Sequence, residues 1–181
     1  MQIGVLLVPG LLIFGIFTIY PIAKLFVMSF FKWDFGSIFE QPFIGLQNYK
    51  DVLTDKYFQT AFVNSIVYTL VTVPAQMILG LLIAMLVNSI HKMQIGFRVV
   101  YYLPVITSWV IASLVFKYTF NTEGLLNYFL TNVIRLTGEN IRWLDTRWGG
   151  LSVAMLLGTW KGIGWNMVVF LAALQTCPQE L

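Results

Sequence analysis

Charge is scarce in this chain. Only 10% of its 181 residues are Asp, Glu, Lys or Arg and 58% are hydrophobic, whereas a soluble domain carries about 25% charged residues. None occurs in residues 2–23, 57–90 or 99–116. A soluble core of this size cannot absorb uncharged runs of that length, and about 20 apolar residues cross a bilayer as a helix. The runs do not alternate in polarity, which argues against a transmembrane barrel. Cysteine and histidine are nearly missing as well. Cys177 stands alone, so an intrachain disulfide is excluded. With no His/Cys ligand set, a structural metal site is not expected. His91 lacks a neighbouring carboxylate or second histidine and reads as a solvated loop residue. The formal charge is +3, but the basic residues are scattered, with no cluster suited to nucleic acid or anionic lipid.

The common catalytic signatures are also missing. There is no GxxxxGK[ST] loop, no HExxH and no GxSxG. Every acidic residue lies outside the apolar runs, which weakens any reading as a proton-coupled carrier, since those use intramembrane Asp, Glu or His. The first apolar run is too long for a signal-peptide core and has no basic segment before it. No catalytic residue, metal or cofactor is expected on this chain.

What is present predicts an all-α membrane protein, a polytopic helical bundle with about four transmembrane helices. The spans fall at about 3–31, 58–88, 98–117 and 150–175, read as one transmembrane domain over 1–181. Pro21 is expected to kink the first, and Lys24 to snorkel to an interface. Leu46, Tyr49 and Leu53 share one helical face and predict a short surface helix in the first polar connection. The second run would make about 50 Å of helix at 1.5 Å per residue, against roughly 30 Å of hydrocarbon. It must tilt, bend at Pro74 or project. Asn64, Ser65, Tyr68, Thr69, Thr72 and Gln76 give it a polar side, for interhelical hydrogen bonds or a pathway lining. Gly80 and Ala84 form a small-xxx-small pair for close packing. Residues 88–98 form a tight hydrophilic turn. Tyr101, Tyr102, Pro104 and Trp109 mark the third span. Leu126, Phe129, Leu130, Val133 and Ile134 predict an amphipathic helix, capped by Asn121 or Thr122 and stopped at Gly138.

The fourth span holds the anomaly. Lys161 sits near its centre, beside Trp160, Gly162, Gly164, Trp165 and Asn166. A charge at that depth costs roughly 2.5–3.5 kcal/mol on insertion scales, so an aqueous pathway, a polar partner or a ligand must offset it. Lys161 and Trp165 are four apart and share a face, as do Gly158, Gly162 and Trp165. Trp160 lies about 100° from Lys161. Packing is the favoured reading for Trp160, and pathway or packing both stand for the others.

Several stretches together resemble the permease subunits of binding-protein-dependent carbohydrate ABC importers, of the maltose, glycerol-phosphate and lactose permease type. They are Phe43-Ile44-Gly45-Leu46-Gln47-Asn48-Tyr49, Phe97-Arg98-Val99-Val100-Tyr101-Tyr102-Leu103-Pro104, Gly124-Leu125-Leu126-Asn127, Arg142-Trp143-Leu144-Asp145, and Leu171-Ala172-Ala173-Leu174-Gln175 leading to Pro178-Gln179-Glu180-Leu181. The resemblance implies a six-span core in a bacterial inner or plasma membrane, surrounded by lipid. In that family Pro-x-Glu-Leu precedes the EAA loop that receives the ATPase, so the chain is expected to be an N-terminal fragment with two more spans to follow. The partners implied are a second permease subunit, two ATPase subunits that bind ATP, and an extracellular or periplasmic sugar-binding protein. Residues 32–56 and 117–148 would face outward. The substrate pathway implied uses Lys161, Trp165, Gly162, Trp160, Gly158 and Asn166, with Asn64 and Tyr68 as secondary candidates. Other readings of the residues are a secondary-transporter fragment or a non-transporting membrane scaffold.

Overall fold

The computed structural model describes residues 2–33, 41–90 and 93–176. Those residues are helical, apart from connecting turns and one isolated bridge between Phe31 and Phe43. The chain forms two compact units, Met1–Val63 and Asn64–Leu181. The expectations on His91 and Cys177 and on Pro178 to Leu181 lie outside the described residues.

In the first unit, α1 (Gln2–Phe14) and α2 (Tyr20–Met28) are joined by a π turn, Gly15–Ile19. Pro21 explains the turn: it has no N–H to donate, and the register widens just before it, with the Tyr20 N–H bonded to the Gly15 carbonyl. The surface helix is present as α3 (Gln47–Thr54). Its Asn48 Nδ2 donates to the carbonyls of Ser29 (2.8 Å) and Phe31 (3.0 Å), and the hydroxyls of Tyr49 and Ser29 lie 2.7 Å apart. Gly45 turns the chain with φ +60°, a left-handed conformation natural to glycine. The stretch from Phe43 to Tyr49 thus docks α3 onto the end of α2.

The long apolar run forms one helix, α4 (Lys56–Ser89), and Pro74 does not interrupt it. Asp55 caps its start, its Oδ1 accepting from the Tyr57 (2.6 Å) and Phe58 (3.1 Å) N–H groups. We expect Asp55→Ala to lower stability by about 1 kcal/mol, measurable as a lower unfolding temperature of the purified protein.

The second unit contains most of α4, with α5 (Gln94–Ile106), α6 (Trp109–Thr119), α7 (Leu125–Tyr128) and α8 (Arg147–Thr176). Helix α8 is its spine and packs mainly on α5. Thr146 caps α8 through its Oγ1, 3.1 Å from the Gly149 N–H. Near the far end, Ala84, Val87, Met167 and Leu171 form a buried apolar cluster. Gly80 carries the α4–α8 approach: a Cβ there would stand 2.6 Å from Asn166 Cβ and 3.1 Å from the Met167 nitrogen. Gly164 carries the α5 approach, where a Cβ would strike the Tyr101 carbonyl.

Two sequence expectations are corrected here. The third span is not one helix over 98–117: α5 and α6 meet at 91°. Thr107 and Ser108 are both extended, with ψ of 135° and 139°, and Thr107 Oγ1 bonds back to the Leu103 carbonyl at 2.9 Å. Leu6–Met28, Lys56–Ser89 and Arg147–Thr176 are long and apolar enough to cross a membrane, and the bent pair makes a fourth crossing if counted as one span. The amphipathic segment is α7 followed by a π turn, Phe129–Val133; Gly124 is its cap, and it ends at Arg135, which has φ 54°. Asn121 and Thr122 lie ahead of the cap position, and their carbonyls accept from Asn127 Nδ2, at 3.2 and 3.0 Å. Arg135 stops the segment ahead of Gly138: beyond it the Leu136 N–H reaches the Leu130 carbonyl at 2.9 Å.

Candidate functional site

Midway along α4 and α8 the second unit has an open-sided cavity of about 370 Å³, lined by Tyr68, Thr72, Val73, Gln76, Val105, Trp109, Gly158, Lys161, Gly162, Trp165 and Asn166. Helical periodicity builds it. Tyr68, Thr72 and Gln76 recur every four residues on α4, and Gly158, Gly162 and Asn166 do so on α8. The glycines make room for the polar side chains opposite. A Cβ on Gly158 would come within 3.1 Å of Tyr68 Cζ, and one on Gly162 within 2.7 Å of Gln76 Cδ.

Lys161 is buried, only 5% exposed. Its Nζ donates to the carbonyls of Pro104 (2.6 Å) and Thr107 (2.5 Å) and lies 4.8 Å from the centroid of the Trp109 ring. Hydrogen bonds to a charged group contribute about 1.5–3 kcal/mol each, and a cation at the carbonyl end of a helix is favourable. Two such bonds and a cation–π contact offset an insertion cost of roughly 2.5–3.5 kcal/mol. The amine thus has its polar partners inside the protein.

The other sequence candidates separate. Trp165 is 57% exposed at the cavity. Asn166 lines it while donating to the Gly162 carbonyl at 2.9 Å. Trp160 is outside it, 5.6 Å from Phe116 between ring centroids. Asn64 is outside too, its Oδ1 accepting from Arg147 Nε at 2.8 Å. Thr72 and Gln76, from the polar side of the second span, and Trp109, from the third, also line it. Thr72 Oγ1 is buried with no hydrogen-bond partner among the described residues. The 117–148 connection has its own buried hub. Asn127 is fully buried and also donates to the Ile141 carbonyl (2.7 Å), while its Oδ1 accepts from the Ile141 N–H (3.2 Å) and Trp143 Nε1 (3.1 Å).

No family model matches the chain. It is 36% identical over 180 residues to the arabinooligosaccharides transport system permease protein of Halalkalibacterium halodurans, covering 98% of this chain and 55% of that one. It is 30% identical over 175 residues to the lactose transport system permease protein of Rhizobium radiobacter, covering 96% and 57%. The chain thus spans little more than half the length of these curated relatives. Its fold matches the crystal structure of a bacterial ABC transporter involved in the import of the acidic polysaccharide alginate, with a TM-score of 0.80, 22% identity, and coverage of 98% of this chain and 58% of that one. The polytopic all-helical fold and the agreement along nearly the whole sequence make this chain a homologue of the permease subunits of sugar ABC transporters.

Proposed function

We propose that the chain is part of a permease subunit of an ATP-driven sugar importer in the bacterial inner membrane, working by alternating access. A second permease subunit completes the pathway. Two ATPase subunits bind and hydrolyse ATP, and a binding protein delivers sugar to the outer face, to which the 117–148 connection belongs. One solved relative by fold is an alginate transporter in complex with an alginate pentasaccharide-bound periplasmic protein, which supports that last partner. One observation carries the reading: in a homologue of sugar permeases, the polar side of α4 and an open tryptophan of α8 line one cavity at the middle of both helices. Sugars present apolar ring faces edged by hydroxyls. Trp165 supplies a plate, Tyr68, Gln76 and Asn166 supply hydrogen-bonding groups, and Gly158 and Gly162 let the opposing side chains come close. Trp160 packs on Phe116 of α6 instead. No observation favours a secondary transporter or a scaffold.

The test is uptake by the intact transporter across a panel of saccharides. Trp165→Ala should weaken the apparent affinity for the preferred sugar about tenfold, the equivalent of about 1.4 kcal/mol. Gln76→Ala should weaken it by a smaller factor. If both variants reach the membrane and transport normally, the cavity is not the pathway.

A further inference from the structure

The structure assigns Lys161 a positioning role: it holds the corner between α5 and α6 and with it the cavity wall formed by Trp109. At the corner the chain turns through 91° at Thr107 and Ser108. The Leu103 carbonyl is served by Thr107 itself, and the Ser108 carbonyl by the Ala112 N–H at 3.0 Å. The carbonyls of Pro104 and Thr107 receive the Lys161 amine from another helix, 57 and 54 residues away in sequence. In hydrocarbon, backbone carbonyls at a helix break must find donors inside the protein. A long flexible cation can reach both at once, and the end of α5 favours positive charge. The same amine sits by the ring of Trp109, the first residue of α6. It thereby fixes where α6 starts and where that ring stands.

This assignment opposes Lys161 as the donor that binds sugar. To serve a ligand the amine would have to leave two carbonyls that have no other donor among the described residues.

The experiment uses the intact transporter carrying the full-length subunit, with Cys177 replaced by serine and spin labels on Ile95→Cys and Tyr118→Cys, both exposed positions. A right-angled corner puts these about 23 Å apart, whereas one straight helix would put them about 35 Å apart, at 1.5 Å per residue. Lys161→Met is expected to lengthen and broaden the measured distance. It should also cut the maximal uptake rate about tenfold or more while changing KM less than about threefold. Lys161→Arg, which keeps the charge and the donors, is expected to retain the short distance and most of the rate. An unchanged distance in Lys161→Met overturns the assignment. So does a raised KM with rate and distance intact, which would make Lys161 a sugar ligand. Where the methionine variant fails to assemble, the arginine variant decides: loss of the short distance, or a tenfold higher KM, overturns the assignment. The distance measurement rests on the fold alone. Normal uptake in the Trp165 and Gln76 variants, beside a lengthened distance in Lys161→Met, would count against the sugar reading only.

Discussion

Gly164→Leu should leave little of the subunit assembled in the membrane. The residue sits where α8 crosses α5. A Cβ built there strikes the Tyr101 carbonyl and lies 2.8 Å from Val105 Cγ2 and 3.1 Å from the Tyr101 carbonyl carbon. The obstacle is largely backbone, so it cannot rotate away, and the two helices must separate. Overpacking costs about 1–3 kcal/mol where a core can adjust, and a helix crossing fixed by backbone sits at the upper end. Separation also pulls the Lys161 amine from the α5 carbonyls, since both residues lie on α8. Gly10→Leu is the control, because nothing lies within 4 Å of that Cβ. Membrane levels by immunoblot and the unfolding midpoint of the extracted transporter measure the effect. A Gly164→Leu protein as abundant and as heat-stable as the control would refute the close crossing.

Asn127→Leu is expected to open the 117–148 connection. This side chain serves five backbone and side-chain partners drawn from residues 121, 122, 141 and 143. A typical hydrogen bond contributes about 1 kcal/mol net, and each buried group left unpaired costs about 1–3 kcal/mol. Some of the freed groups will reach water, so the expected loss is about 3–5 kcal/mol for the local fold. Opening by that amount raises the open population at least about a hundredfold. Protease applied to the membrane face that carries this connection should then cut it far faster than in the unmodified protein. Asn127→Asp should behave similarly, since it loses both N–H donors and buries a charge. A cleavage rate unchanged in both variants would show that the hub does not hold the connection.

Composition and periodicity were enough for the architecture. Uncharged, non-alternating runs longer than a bilayer crossing form helices in lipid, because a helix satisfies its backbone groups within the segment. The surface helix around Tyr49, the α4 helix and the α8 helix follow from spacing alone. The side of α4 carrying Tyr68, Thr72 and Gln76 was equally legible, since residues four apart share a helical face. The corner at Thr107 and Ser108 was not. Pro104 lies within α5 without ending it, and two extended residues carry no strong local signal. Such a break is tolerable only when another helix supplies donors, and that is a long-range fact. Asn127 was likewise invisible as a hub, because its partners come from residues up to 16 positions away.

Lys161 marks the boundary between the two kinds of information. That a cation stood mid-span, at a cost demanding a partner, followed from the residues and the thickness of hydrocarbon. Which partner met that demand depended on the rotation of α8 about its axis and on where α5 ends. A helix reports the spacing of its own side chains, but its rotation against neighbours is set by close contacts such as Gly80 on Met167 and Gly164 on Tyr101. Only the packed bundle could place that amine on two carbonyls at the wall of a cavity.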